Sequence, residues 1–125
     1  MLVPREEFHL DSAFISKYQD RQPAWGSLGY LVYKRTYAEL LLDGSTEEFW
    51  QTCQRVIEGM YQIQKGHCRR HGLPWNDKKA QRSAQDAFAR MFAFKWLPPG
   101  RGMSKMGSEH MFKIGGACLN NCGFY

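Results

Sequence analysis

Ser45-Thr46-Glu47-Glu48-Phe49-Trp50-Gln51-Thr52-Cys53-Gln54-Arg55-Val56-Ile57-Glu58-Gly59-Met60-Tyr61 is the stretch whose reading decides the fold. Phe49, Trp50, Cys53, Val56, Ile57, Met60 and Tyr61 recur at steps of three and four, the period of one helical face. Ser45 followed three residues later by Glu48 reads as a capping box, which predicts a long helix beginning there. Cys53 falls on the apolar stripe and reads as a small core residue without a chemical role.

Working outward, Gly72 and Pro74 end this helix and Asn76 caps another, in which Ala80, Ala84, Ala87, Phe88, Met91, Phe92 and Trp96 trace one face. Small residues come first and large ones later, so this helix approaches a neighbour closely at its start and fills a wider gap at its end. Pro98-Pro99-Gly100 stops it. Upstream, Asp11 or Ser12 caps a short helix through Tyr18, Pro23 and Gly26 break the pattern, and Trp25 docks on the core. Tyr30, Tyr33, Lys34, Tyr37 and Leu41 then fall at helical spacing, which predicts a helix over 30–42 before the Asp43-Gly44 turn.

Residues 98–116 hold five glycines and little periodicity and read as a loop, mobile or functional. Ala117–Tyr125 is mostly apolar and reads as a strand without a partner strand. An unpaired strand leaves its backbone donors and acceptors open, so the expectation is a chain cut in mid-element. The fold class is therefore mainly α, with a helical region over 1–97 and a loop and first strand over 98–125.

Composition narrows the function classes. The chain has 125 residues, 43% of them hydrophobic and 14% aromatic, enough for one packed domain and contrary to disorder. The net charge of +5 comes from seventeen Lys and Arg scattered among twelve acidic residues, which gives a nucleic-acid partner little support. Lys65, His67, Arg69, Arg70 and His71 cluster near a predicted helix end, where cations complement the macrodipole. Met1–Leu10 lacks the apolar core of a signal peptide and no segment reaches membrane-spanning length, so the expectation is a cytoplasmic protein without a membrane partner. In that compartment four cysteines do not form a disulfide framework.

Cys118 and Cys122 are the chemically suggestive pair. On a strand their Cα atoms lie roughly 13 Å apart, too far for a disulfide between them, which needs less than about 7 Å. Alternation puts Cys118, Asn120, Cys122 and Phe124 on one face. Such a face serves a substrate site, with an amide to bind and a thiol to reduce, or a buried cysteine beside a satisfied asparagine. A further alternative gathers Cys68, His71, Cys118 and Cys122 into a Cys3His zinc set, as in a small interaction module. Pro98-Pro99-Gly100-Arg101-Gly102 permits close backbone approach and supplies a forked cation for phosphate, but serves equally well as a plain connector.

Three stretches together resemble the N-terminal region of the monomeric, adenosylcobalamin-dependent (class II) ribonucleoside-triphosphate reductases. They are Trp25-Gly26-Ser27-Leu28-Gly29 running into Tyr33-Lys34-Arg35-Thr36-Tyr37-Ala38, then Pro98-Pro99-Gly100-Arg101, and Leu119-Asn120-Asn121-Cys122. Val56, Glu58 and Gly59 fit the family's middle helix. Cys118 departs from the family, where serine is more familiar, and 65–75 has its own character.

The resemblance implies that residues 117–125 form the first strand of an α/β barrel around a finger loop bearing a radical-forming cysteine. It implies that cobalamin homolysis yields the thiyl radical that takes the 3′ hydrogen of the ribonucleotide. The 2′ hydroxyl then leaves as water, with Cys122 as one of two reducing cysteines. Asn120, Asn121, Pro98, Gly100 and Arg101 are implied to line the substrate site. No residue is assigned to the cofactor, adenosylcobalamin, which the rest of the enzyme is implied to bind, and no metal ligand is implied. The implied partners are a ribonucleoside triphosphate, a thioredoxin-like dithiol reductant and the remainder of the reductase chain. The second reducing cysteine and the finger-loop cysteine match no position here, so the piece is expected to be inactive alone.

Overall fold

The computed structural model describes residues 5–115 and Leu119. These form six helices: α1 (Ser12–Ile15), α2 (Ser27–Thr36), α3 (Phe49–Arg70), α4 (Asp77–Phe92), α5 (Gly100–Lys105) and α6 (Glu109–Ile114). Extended pairing among the described residues is limited to one antiparallel bridge, Leu40 with Thr46. The expected strand over 117–125 lies outside the described residues apart from Leu119, which adopts a 3-10 conformation instead of an extended one, and the helical character expected over 1–97 is what the described residues adopt.

α3 and α4 are the framework, and they pack along the faces that their periodicity marks. Phe49, Cys53, Val56 and Ile57 of α3 meet Ala80, Ala84, Phe88, Met91 and Phe92 of α4 in one core, joined by Phe8, Leu10, Ile15, Tyr33 and Met103. The small-to-large order along α4 is used as expected, since Ala84, Phe88 and Met91 are all fully buried. Trp25 docks as expected, its ring 5.0 Å from Phe49 and 5.1 Å from Tyr33. Burial pushes the Cys53 thiol well above the ordinary thiol range, in keeping with a core role.

Both long helices end in Schellman geometry. In α3, Leu73 N–H donates to Cys68 O at 2.8 Å around Gly72 at φ +65°. In α4, Lys95 N–H donates to Arg90 O at 2.9 Å and Phe94 N–H to Met91 O at 3.0 Å, with Phe94 itself at φ +60°. The left-handed position is unfavourable for a residue with a bulky side chain. Phe94 occupies it while its ring packs 5.4 Å from that of Phe49.

Four boundaries differ from the sequence reading. α3 starts at Phe49 with Glu48 as its N-cap, because the capping box is Glu48 with Gln51 rather than Ser45 with Glu48. Asp43 takes Ser45 away, its Oδ1 accepting from both the N–H and the hydroxyl of Ser45 within the turn. α2 runs over 27–36 instead of 30–42, since Leu40 leaves the helix to pair with Thr46. α1 stops at Ile15, and Asp11 sits at its N-cap without a side-chain capping bond, its carboxylate accepting from Gln85 instead. Finally, 98–116 is no simple loop: it holds α5 and α6, the latter capped by Ser108, whose hydroxyl accepts from Met111 N–H at 3.2 Å.

Asn76 caps α4 as expected, its side chain accepting from Lys79 N–H at 3.1 Å. Asn76→Ala is expected to lower unfolding free energy by about 1 kcal/mol, measured by urea titration, whereas Asn76→Asp retains the cap.

Candidate functional site

Arg55 in the second turn of α3 organises the region that carries Pro98, Gly100 and Arg101. Its guanidinium faces Glu47, with Nε to Oε2 at 2.9 Å and one terminal nitrogen to Oε1 at 3.0 Å. The other donors reach Met103 O and Met106 O, both at 2.7 Å, closing the last turn of α5. A forked cation on helix-end carbonyls and on a carboxylate uses all of its geometry. Glu47 is 4% exposed and accepts further bonds from Glu39 N–H at 2.9 Å and the Thr52 hydroxyl at 2.7 Å. Tyr33 completes the network through Thr52 and the Glu47 carbonyl. Burial holds its phenol far above the ordinary range, so it remains a neutral donor.

Around this centre the electrostatics are also satisfied. Lys34 donates to Thr46 O at 3.0 Å, Glu47 O at 2.9 Å and the Glu48 carboxylate at 3.2 Å. Desolvation pulls the Glu48 carboxyl upward, but hydrogen bonds from Gln22, Lys34 and Tyr30 outweigh it and the net shift is downward. Lys105 of α5 reaches Glu39 at 3.0 Å. Among the described residues no buried side-chain polar atom lacks a partner.

Two glycines set the distance between α3 and the α5–α6 connection. A Cβ on Gly59 would stand 2.5 Å from Gly107 Cα and 2.8 Å from its nitrogen. A Cβ on Gly107 would collide with the Arg55 carbonyl oxygen, and Gly107 is at φ +77°. Gly59→Ala is expected to cost about 2 kcal/mol through overpacking of backbone on backbone. Gly107→Ala is expected to cost about 3 kcal/mol, because the left-handed conformation adds its own penalty. Thermal unfolding of both variants checks this, and two unchanged midpoints would remove the close approach from the account.

The clamped segment brings part of the expected site together. Gly100 and Arg101 line a cavity of about 330 Å³ with Thr36, Tyr37, Ser104 and Lys105. Gly100 meets the Tyr37 ring, from which a Cβ there would be 3.1 Å. Pro98 packs on Gly102 instead of lining this cavity. Tyr37 also lines an adjoining apolar groove of about 500 Å³, walled by Trp25, Leu28, Val32, Phe94, Leu97 and Met103 among others. Asn120, Asn121, Cys118 and Cys122 lie outside the described residues.

Neither cavity fits a corrin. The larger offers almost no polar group for its carboxamide rim, and the smaller is too small for the ring. Cys68 and His71 sit at the C-terminal end of α3, with His67 and Arg69–Arg70 in its last turn as the charge argument expects. Among the described residues no group of three or more His, Cys, Asp or Glu is arranged to hold a metal ion. No described helix is long and apolar enough to cross a membrane.

Sequence reasoning missed Glu47, Arg55 and Gly107. The i to i+8 pairing of the first two follows no surface period. The Met-Gly-Ser run around Gly107 was the one available signal of a turn.

Comparison with known proteins agrees with this architecture. Residues 10–108 match the family described as "Ribonucleotide reductase alpha domain". A Dictyostelium discoideum protein named "Probable adenosylcobalamin-dependent ribonucleoside-triphosphate reductase" is 43% identical over 95% of this chain and 16% of its own length. The adenosylcobalamin-dependent ribonucleoside-triphosphate reductase of Euglena gracilis is 40% identical over 98% of this chain and 17% of its own. A crystal structure of a B12-dependent (class II) ribonucleotide reductase superposes with a TM-score of 0.78 at 29% identity, covering 93% of this chain and 16% of that one. The chain thus spans about one-sixth of the length of these relatives. On sequence and on fold together, it belongs to the ribonucleotide reductase family, to whose alpha domain its residues 10–108 correspond.

Proposed function

We propose that this chain is the N-terminal part of an adenosylcobalamin-dependent ribonucleoside-triphosphate reductase and supplies one of its two reducing thiols, Cys122. The observation that carries the reading is 43% and 40% identity to proteins of that name across nearly the whole of this chain. In this reading residues 1–97 are the helical N-terminal region, and 98–125 are the connection, which holds α5 and α6, and the first strand of the catalytic barrel. Adenosylcobalamin supplies the radical, and it is held by the rest of the enzyme.

The part played by this chain is reduction and positioning. Two thiols deliver two electrons and two protons, the 2′ hydroxyl leaves as water, and the sulfurs join as a disulfide that an external thioredoxin-like dithiol resets by exchange. Asn120 and Asn121 offer amide donors and acceptors beside the thiol. Arg101, at the cavity beyond Tyr37, supplies a cation for the triphosphate, and the Arg55 clamp holds its helix in place.

The test is a chimera in which these 125 residues replace the matched segment of the Euglena gracilis enzyme. Adenosylcobalamin-dependent reduction of a ribonucleoside triphosphate by the chimera, with none by the isolated chain, is expected. A folded chimera without activity, beside an active parent enzyme, would contradict the assignment.

A further inference from the structure

α2 carries apolar residues on two sides. Tyr33 faces the core, while Leu28, Leu31 and Val32, spaced i, i+3 and i+4, make a second stripe that is 75%, 62% and 40% exposed. Leu28 and Val32 line the groove together with Leu97, which is 47% exposed. A helix apolar on opposite sides belongs in an interior, and contiguous exposed apolar surface of this kind marks a protein contact. No charged side chain lines the groove, so phosphate finds no counter-ion there.

The solved class II reductase that shares this fold carries it as 16% of a longer polypeptide. We infer that the groove between α2 and residues 94–103 is the docking surface for an apolar face of the remaining reductase polypeptide, an inference that rests on the proposed function. Tyr37 joins this groove to the cavity of Gly100 and Arg101, so the docked polypeptide buttresses the substrate-facing segment from its apolar side. Phe94 lines the same groove and keeps its strained backbone there.

The experiment compares thiol labelling in the isolated chain and in the Euglena chimera, with maleimide as probe and peptide mass mapping as readout. Leu28→Cys reports on the groove, and Val32→Cys, which lines the same groove, is a second reporter should the first disturb folding. Lys78→Cys, at an exposed position of α4 outside the groove, is the control. In the chimera, labelling at position 28 is expected to slow by about tenfold or more relative to the isolated chain, while the control is unchanged. Equal labelling of position 28 in both proteins would overturn the docking assignment. Protection that instead appears in the isolated chain as its concentration rises, together with a sedimenting dimer, would also overturn it by giving the groove to a second copy. An active chimera that labels freely at position 28 leaves the functional reading standing and removes the docking surface. A folded, inactive chimera protected at position 28 does the reverse.

Discussion

Cys122→Ser in the chimeric reductase is expected to abolish sustained turnover, a fall on the order of a thousandfold or more, as for loss of any obligatory reacting group. A serine hydroxyl has the shape of the thiol but cannot give up an electron pair to form a disulfide. The deoxyribonucleotide therefore cannot be completed by the two-thiol route. Cys118→Ser is expected to leave turnover within about twofold, because serine is the residue more familiar in the family. Steady-state rates for the two variants separate the roles. Comparable losses in both would mean that the two thiols act together.

The second large effect is structural. Arg55→Met is expected to destabilise the fold by about 3–5 kcal/mol, because it strands a buried carboxylate. Glu47 keeps its bonds from Thr52 and Glu39 but loses its cation, and Met103 O and Met106 O lose their donors. Adding Glu47→Gln to Arg55→Met is expected to recover part of the loss, since the amide no longer needs a counter-ion. Urea titration of the two single variants and the pair gives the coupling. Strict additivity would show that the residues do not act as a unit. Faster amide exchange over 103–109 in Arg55→Met would place the damage at the α5 clamp.

The helices with long apolar periodicity were legible in the sequence. Phe49 to Tyr61 and Ala80 to Phe92 reveal α3 and α4, and Asn76 and Gly72 mark their boundaries, because burial on one face imposes a period and the caps have local chemistry. Where two local signals competed, the sequence was ambiguous. Ser45 satisfied the capping pattern, but Asp43 bound it in the turn and Glu48 took the cap. α5 and α6 were illegible because they are too short to show a period, and their places are set by Arg55 and by the Gly59–Gly107 approach, which are contacts distant in sequence. Of the candidate site, Gly100 and Arg101 come together with Thr36 and Tyr37, and the motif around Cys122 lies outside the described residues.

In the proposed function Cys122 is oxidised in the course of making a deoxyribonucleotide. Single-turnover reaction of the chimera, run without external dithiol, quenched with acid and mapped by mass spectrometry, tests it most directly. One disulfide joining Cys122 to a cysteine from the rest of the chimera is expected for each product formed. Product formed while Cys122 remains a free thiol would contradict it.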